Sequence, residues 1–318
     1  MSPSPRVSVI IPNWNGVRFL PTCLDALRRQ TLADREVILV DNASSDDSCA
    51  LVAARYPEVT LLSLSHNAGF AGGVNAGIRA SRGEVVALLN NDTEADAHWL
   101  EELLGALDRH PQAGSAASKI LLFDRRDTFH SAGDTFRVNG LPANRGVWQR
   151  DVGQYDREEY VFGGCGGAVA YRRQLLEEIG LFDETFFFNC EDVDLAWRAQ
   201  LAGWRCVYVP RAIVYHSLSA TGGGVTASYY TGRNTLWVLA KDVPGPILRR
   251  HWQAILRAQM RIAWDAARNW RGAAARARLR GQLAGLLTLP RILSQRRRVQ
   301  ASRRASLGDI EALLEAPR

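Results

Sequence analysis

Val85-Val86-Ala87-Leu88-Leu89-Asn90-Asn91-Asp92-Thr93 decides how this chain is read. An apolar run of strand length stops abruptly at two amides, a carboxylate and a hydroxyl. Such a run is expected to be a buried parallel strand that delivers polar side chains at its carboxyl end. In open α/β sheets ligands bind at that end. Asp92 would then offer a hard oxygen to a divalent cation carrying a phosphorylated substrate. The same four polar residues also suit a turn followed by a helix cap, so the flanking sequence has to arbitrate.

Working outward, Val7 to Ile11 is an apolar strand stopped by Pro12 and followed by Asn13-Trp14-Asn15-Gly16. Leu20, Leu24 and Leu27 fall at helical spacing. Glu36 to Val40 is a second strand, and Asp41 to Asp46 supplies cap residues to the next helix. Val59 to Leu64 is a third, leading to Asn67 and a glycine-rich helix start at Gly69-Phe70-Ala71-Gly72-Gly73. After the strand ending at Leu89, a helix is expected from Ala97 to Arg109. Alternation of this kind predicts a doubly wound, mostly parallel α/β sheet. Four strand ends of one character (Asn13/Asn15, Asp41, Asn67, Asn91/Asp92) then converge on one crevice, which favours the ligand-site reading over the cap reading. Beyond Lys119 regularity fails. Asp124 to Glu159 reads as a polar excursion outside the core that lines a cleft. Gly163 to Tyr171 is a strand with small residues where a backbone or ligand comes close. A helix over Arg173 to Ile179 and two short strands, Cys206 to Val209 and Ala212 to Tyr215, end at His216, and Gly222 to Gly224 reads as a loop.

Each candidate for chemistry has a plainer reading beside it. Asp41 is either a helix cap or the carboxylate that reads a base or ribose in a nucleotide-binding half-fold. The glycines from Gly69 form either a turn or an approach of backbone N–H groups to a phosphate, and they match neither the P-loop nor the dinucleotide fingerprint. Glu191, Asp192 and Asp194 suit a helix start electrostatically, yet three carboxylates in four residues exceed what capping requires. One of them in a partly desolvated cleft can serve as a general base. His216 is a ligand or a structural histidine. No second, separately placed carboxylate of the glycoside-hydrolysing kind is evident. A single base plus a metal suits in-line displacement at a sugar carbon, the metal offsetting charge on a departing diphosphate.

At this point the residues resemble glycosyltransferase family 2. Val7 to Gly16 (VSVIIPNWNG), Val40 to Ser48 (VDNASSDDS), Asn67 to Gly77 (NAGFAGGVNAG), Leu88 to Thr93 (LLNNDT), Gly163 to Ala170 and Glu191 to Arg198 (EDVDLAWR) carry the resemblance. They are most similar to the bacterial rhamnosyltransferase-type members that assemble cell-surface polysaccharide. The resemblance implies a GT-A fold and inverting transfer from a dTDP- or UDP-linked sugar to a lipid-linked or growing oligosaccharide acceptor. It implies that Pro12, Trp14, Asn15 and Asp41 hold the nucleoside, Asp41 through the base, while Asn67, Gly72 and Asn75 flank the ribose and diphosphate. Asp92 would bind Mg²⁺ or Mn²⁺, with His216 helping to hold metal or diphosphate and Arg233 near the diphosphate. Asp192 would be the base, with Glu191 beside it. Asn91, counted with the nucleotide site, stands where many relatives have the first acid and would reach the metal only through a neutral oxygen or a water, which makes the site more dependent on His216. Weaker metal affinity is implied, and metal independence stays open.

The 318 residues suffice for one α/β domain, expected over Met1–Thr235, and a helical appendage over Leu236–Arg318. Five dispersed cysteines without a CxxC pair argue for reduced thiols in the cytoplasm and against a zinc site. No leader or spanning helix is evident. The net charge of +6 hides an asymmetry, because Leu236 to Arg318 holds 17 basic against 5 acidic residues. Aromatic and aliphatic residues interleave with its arginines, as in helices lying in a membrane interface. With the lipid-linked acceptor that the resemblance implies, the expected place is peripheral, on the inner face of the cell membrane; the plainer reading is a helical appendage packed on the catalytic domain or a partner subunit, with a homo-oligomer left open and no nucleic-acid partner. The rival readings are a sugar-nucleotide nucleotidyltransferase, which lacks its basic loop after the first strand, and a non-enzymatic nucleic-acid-binding protein using the tail.

Overall fold

The computed structural model describes residues 4–217 and 224–316. Four strand–helix repeats open the chain. They are β1 (Val7–Asn13), α1 (Leu20–Arg28), β2 (Arg35–Asp41), α2 (Ser48–Arg55), β3 (Thr60–Ser63), α3 (Gly69–Ala80), β4 (Val85–Leu89), the short β5 (Thr93–Ala95) and α4 (Trp99–Arg109). β1 runs on through Pro12, where the sequence predicts a stop, because Pro12 and Asn13 stay in register with Val40 and Asp41. β1 and β4 are covered on both faces, so their side chains alternate between two apolar layers. Val7, Val9 and Ile11 meet α1 and α4 residues such as Leu24 and Leu103. Ile10 points the other way, onto Val74 and Ile78 of α3.

The second half is β6 (Ala113–Leu122), β7 (Phe129–Ala132), β8 (Asp134–Arg137), β9 (Pro142–Asn144), β10 (Glu159–Val161), β11 (Ala168–Arg172), α5 (Arg173–Ile179), α6 (Glu191–Ala202) and β12 (Arg205–His216). Helices α7 (Gly224–Lys241), α8 (Gly245–Arg268), α9 (Ala273–Leu287), α10 (Leu289–Ala301) and α11 (Leu307–Glu311) follow, then β13 (Leu314–Glu315). The main sheet has the order β10-β12-β6-β11-β4-β1-β2-β3. Pairing is parallel from β3 to β4. It becomes mixed beyond, because β11 lies antiparallel between β4 and β6. The doubly wound α/β class holds, on a mixed sheet.

Three expectations need correction. Asp124 to Glu159 is not outside the core: Phe129 and Phe136 are fully buried in it, since short strands with a single large apolar residue each carry too little periodicity to be read. The two strands around Cys206 and Ala212 are one bent strand, β12, with its register broken between Val209 and Ile213. The division expected after Thr235 falls inside α7. Gly222 and Gly223 lie outside the described residues, and Gly224 opens α7. No helix among the described residues is long and apolar enough to cross a membrane.

Candidate active site

Parallel pairing puts the carboxyl ends of β1, β2 and β4 side by side, and there a cavity of about 850 Å³ opens. Asn13 and Asp41 are in register at the ends of β1 and β2. The Asn13 amide donates to Asp41 Oδ1 (3.1 Å) and the Ser44 backbone N–H to Asp41 Oδ2 (3.0 Å). Asp41 therefore stands one layer behind the wall, and Asn13 is the side chain that lines the cavity. The Asn91 amide donates to Asn13 Oδ1 at 2.7 Å, so the ends of β1, β2 and β4 are tied by one chain of hydrogen bonds. A Cβ on Gly16 would overlap both amides, which makes that turn a glycine position.

Pro12, Trp14, Asn67, Asn91, Asp92, Glu191, Asp192 and His216 all line the cavity. Other residues expected there have different places. Asn15 accepts a bond from the Ser45 backbone N–H (2.8 Å) and sits outside the wall. Gly72 is buried within α3, facing Ala68. The Asn75 amide donates to the Phe182 carbonyl and Glu184 and accepts from the Phe182 N–H, so it pins a loop. Arg233 donates to the Thr185 and Phe186 carbonyls and stacks on Trp237. Nor do the first amides of α3 face a phosphate. Those of Ala68, Gly69 and Phe70 already donate to Asn42, Asn67 and the Phe187 carbonyl.

Two clusters line the cavity side by side, bridged by Asn144, whose Nδ2 is 3.4 Å from His130 Nε2 and 3.9 Å from Cys165 Sγ. The first is made by β12 returning antiparallel to β5, which sets His216 opposite Thr93. His216 Nε2 stands 3.0 Å from Asp92 Oδ1, and its Nδ1 stands 3.0 Å from His130 Nδ1. Burial and the neighbouring His216 push the His130 imidazole down to about 3. His130 is thus neutral, and its Nδ1 holds the orientation of the His216 ring. The Asp92 carboxylate and the His216 imidazole would hold a divalent cation, Asp92 supplying the hard oxygen.

The second cluster surrounds the start of α6. Of its three carboxylates, Asp194 is taken by Arg198 Nε (2.8 Å) and Lys241 Nζ (2.5 Å). Glu191 is buried, its Oε2 has no hydrogen-bond partner among the described residues, and burial followed by Asp192 raises its pKa well above the usual range. Asp192 is left facing the cavity. Its Oδ2 accepts from the Gly166 N–H at 3.0 Å, and burial lifts it above an ordinary aspartate, opposed by backbone hydrogen bonds. Asp134 lies beside it, with Oδ, Cys165 Sγ and Asp192 Oδ all within 4.8 Å of one another. Burial and the charge of Asp192 raise the Asp134 carboxyl far up, and burial likewise keeps the Cys165 thiol protonated. A protonated thiol beside a protonated carboxyl does not suit Mg²⁺ or Mn²⁺, which do not favour sulfur ligands. What raises Asp192 is its own burial in this cluster. His130 and Asp134 escaped the sequence reading. The only available signal was the alternation in Phe129-His130-Ser131-Ala132, too short to assign.

An N-acetylglucosaminyl-diphospho-decaprenol L-rhamnosyltransferase of Mycobacterium tuberculosis is 30% identical over 280 residues, covering 80% of this chain and 88% of that protein. Among solved structures, GalNAc-T7 with UDP, GalNAc and Mn²⁺ superposes with a TM-score of 0.62 at 16% identity, over 76% of this chain and 49% of that one. The mannosyltransferase PcManGT of Pyrobaculum calidifontis, with GDP-Man and Mn²⁺, gives 0.55 at 19% identity, over 95% and 86%. Residues 8–180 match the sequence model of Glycosyl transferase family 2. The chain belongs to glycosyltransferase family 2 and is a glycosyltransferase built on the GT-A fold.

Proposed function

We propose that this chain transfers a sugar, rhamnose as first choice, from a dTDP- or UDP-linked donor to a lipid-linked glycan acceptor with inversion at the anomeric carbon. It would work peripherally at the inner face of the cell membrane, in cell-surface polysaccharide synthesis. The carrying observation is that Asp92–His216 and Asp192 line one cavity from different elements. Asp92 and His216 would hold Mg²⁺ or Mn²⁺, which when bound neutralises charge on the leaving diphosphate. Trp14 and Pro12 would cover the nucleoside, and Asn13, oriented by Asp41, would present its amide to it. Asp192 would take the proton of the acceptor hydroxyl at its carboxylate. The relative's L-rhamnosyl and decaprenol-linked chemistry supports the choice of sugar and acceptor.

Asp192→Asn should lower transfer by about 10²–10⁴-fold, the usual contribution of a positioned base, while dTDP and UDP still bind. Near wild-type transfer by that variant would remove Asp192 from the mechanism. Product anomers read by NMR test inversion, and a panel of dTDP-, UDP- and GDP-sugars tests the donor.

A further inference from the structure

Helices α8 and α9 expose an apolar face that the α/β body leaves uncovered. Trp252, Leu256, Met260 and Trp264 recur every four residues on α8 and are 49–64% exposed. Leu283, Leu286 and Leu287 of α9 are equally open. Between the helices runs a groove of about 570 Å³ lined almost wholly by apolar side chains, its two amides, Gln259 and Gln282, paired with each other. Contiguous exposed apolar surface of this extent marks an interaction site.

Charge identifies the occupant. From Val243 to Gly308 the chain carries fifteen arginines and a single acid, Asp265. Arg257 and Arg268 on α8, with Arg271 and Arg280 beyond, are exposed and form no ion pair among the described residues. Arg257 follows Leu256 around the helix, and Arg268 continues the aromatic stripe one turn past Trp264. Unpaired guanidinium groups bordering a tryptophan- and leucine-lined face match an anionic lipid surface, where the stems lie along acyl chains and the heads meet phosphate. A second copy of this chain would bring the same positive rim against itself.

We propose that the α8–α9 face docks the protein on an anionic phospholipid leaflet. The docking gives the peripheral position argued above its surface and rests on that reading for its purpose, although it needs neither donor nor metal. Helix α7 links the two regions, since Thr226 and Thr231 line the catalytic cavity while Leu236 and Leu239 line the groove. Five residues of helix rise only about 7.5 Å, so docking would bring the cavity close to an acceptor whose lipid stays in the leaflet.

The test is co-sedimentation of the full chain with phosphatidylcholine vesicles, with and without about one third phosphatidylglycerol. Binding should require the anionic lipid and weaken with salt. Trp252→Glu/Met260→Glu should lower the partition coefficient at least about tenfold. Arg257→Gln/Arg268→Gln should lower it about fivefold per arginine and flatten the salt dependence. Both variants should keep wild-type turnover on a water-soluble acceptor, so failure of docking and failure of the transfer reaction are separately visible. Equal binding to neutral vesicles, undiminished binding by either variant, or a dimer in solution that Trp252→Glu/Met260→Glu dissociates would overturn the proposal.

Discussion

Asp192 and its neighbours show how one short acidic run is divided by its surroundings. Asp194 is neutralised by cations, Glu191 lines the cavity but is buried in its neutral form, and Asp192 is held there by the Gly166 N–H. Because burial raises Asp192, the acid limb of kcat/KM should lie above the ordinary aspartate value of about 3.9. Asp134 holds its proton beside it. Asp134→Asn should therefore leave that limb within about half a pH unit of wild type, and a larger downward shift would mean that Asp134 is ionised in the free enzyme. Glu191 makes a stability prediction. Its folded pKa lies above the unfolded value of about 4.3, so above that pH the native state holds more protons and stability falls until the raised value is passed. Glu191→Gln removes this loss. Its melting temperature should exceed that of wild type by a margin that widens as pH rises above about 5, at about 2–4 °C per kcal/mol.

At the scale of elements, the turn entering α6 is held under strain. Phe187, Asn189 and Cys190 all have φ between 64° and 68°, a conformation costing about 1–3 kcal/mol each without glycine. The α7 side chain Asn234 holds it in place, donating to the carbonyls of Phe186, Phe188 and Asn189 at 2.6–3.0 Å. Asn234→Ala should cost about 2–4 kcal/mol in chemical denaturation and lower kcat more than it raises donor KM, since Asp192 follows that turn. The α7–α9 packing depends on glycine in the same way. A Cβ on Gly232 would stand 2.6 Å from the Arg278 carbonyl oxygen, and one on Gly281 would overlap the Tyr229 carbonyl. Gly281→Ala should destabilise by about 1–3 kcal/mol and loosen the helical layer first, visible as faster amide exchange in α9.

For the whole molecule, Lys241 is the joint between the catalytic body and the helical layer. Its Nζ is 2.5 Å from Asp183 and from Asp194, all three side chains being largely buried. Lys241→Met strands those carboxylates and should cost about 3–5 kcal/mol, measured as a lower denaturation midpoint with one cooperative transition. Ligand linkage gives a complementary expectation. UDP or dTDP with Mn²⁺ at about 100 times Kd should stabilise the fold by about 2.7 kcal/mol, and Asp92→Ala should reduce the metal-dependent part of that gain.

Strand runs such as Val7–Ile11 and Val85–Leu89, and the polar residues at their ends, were legible because burial on both faces writes a continuous apolar run into local sequence. The α/β class, the crevice at the strand ends and the candidate residues Asp92, Asp192 and His216 follow from that local code and from the family motifs. Tertiary structure alone decided which of these residues meet. His216 reaches Asp92, 124 positions away, through the register of β12 on β5. His130 and Asp134 enter the site on strands too short to announce themselves, whereas Asn75 and Arg233 are drawn off to hold a loop. Periodicity records only whether a side chain faces inside or outside; the partner it finds there is fixed by long-range pairing that no local stretch contains.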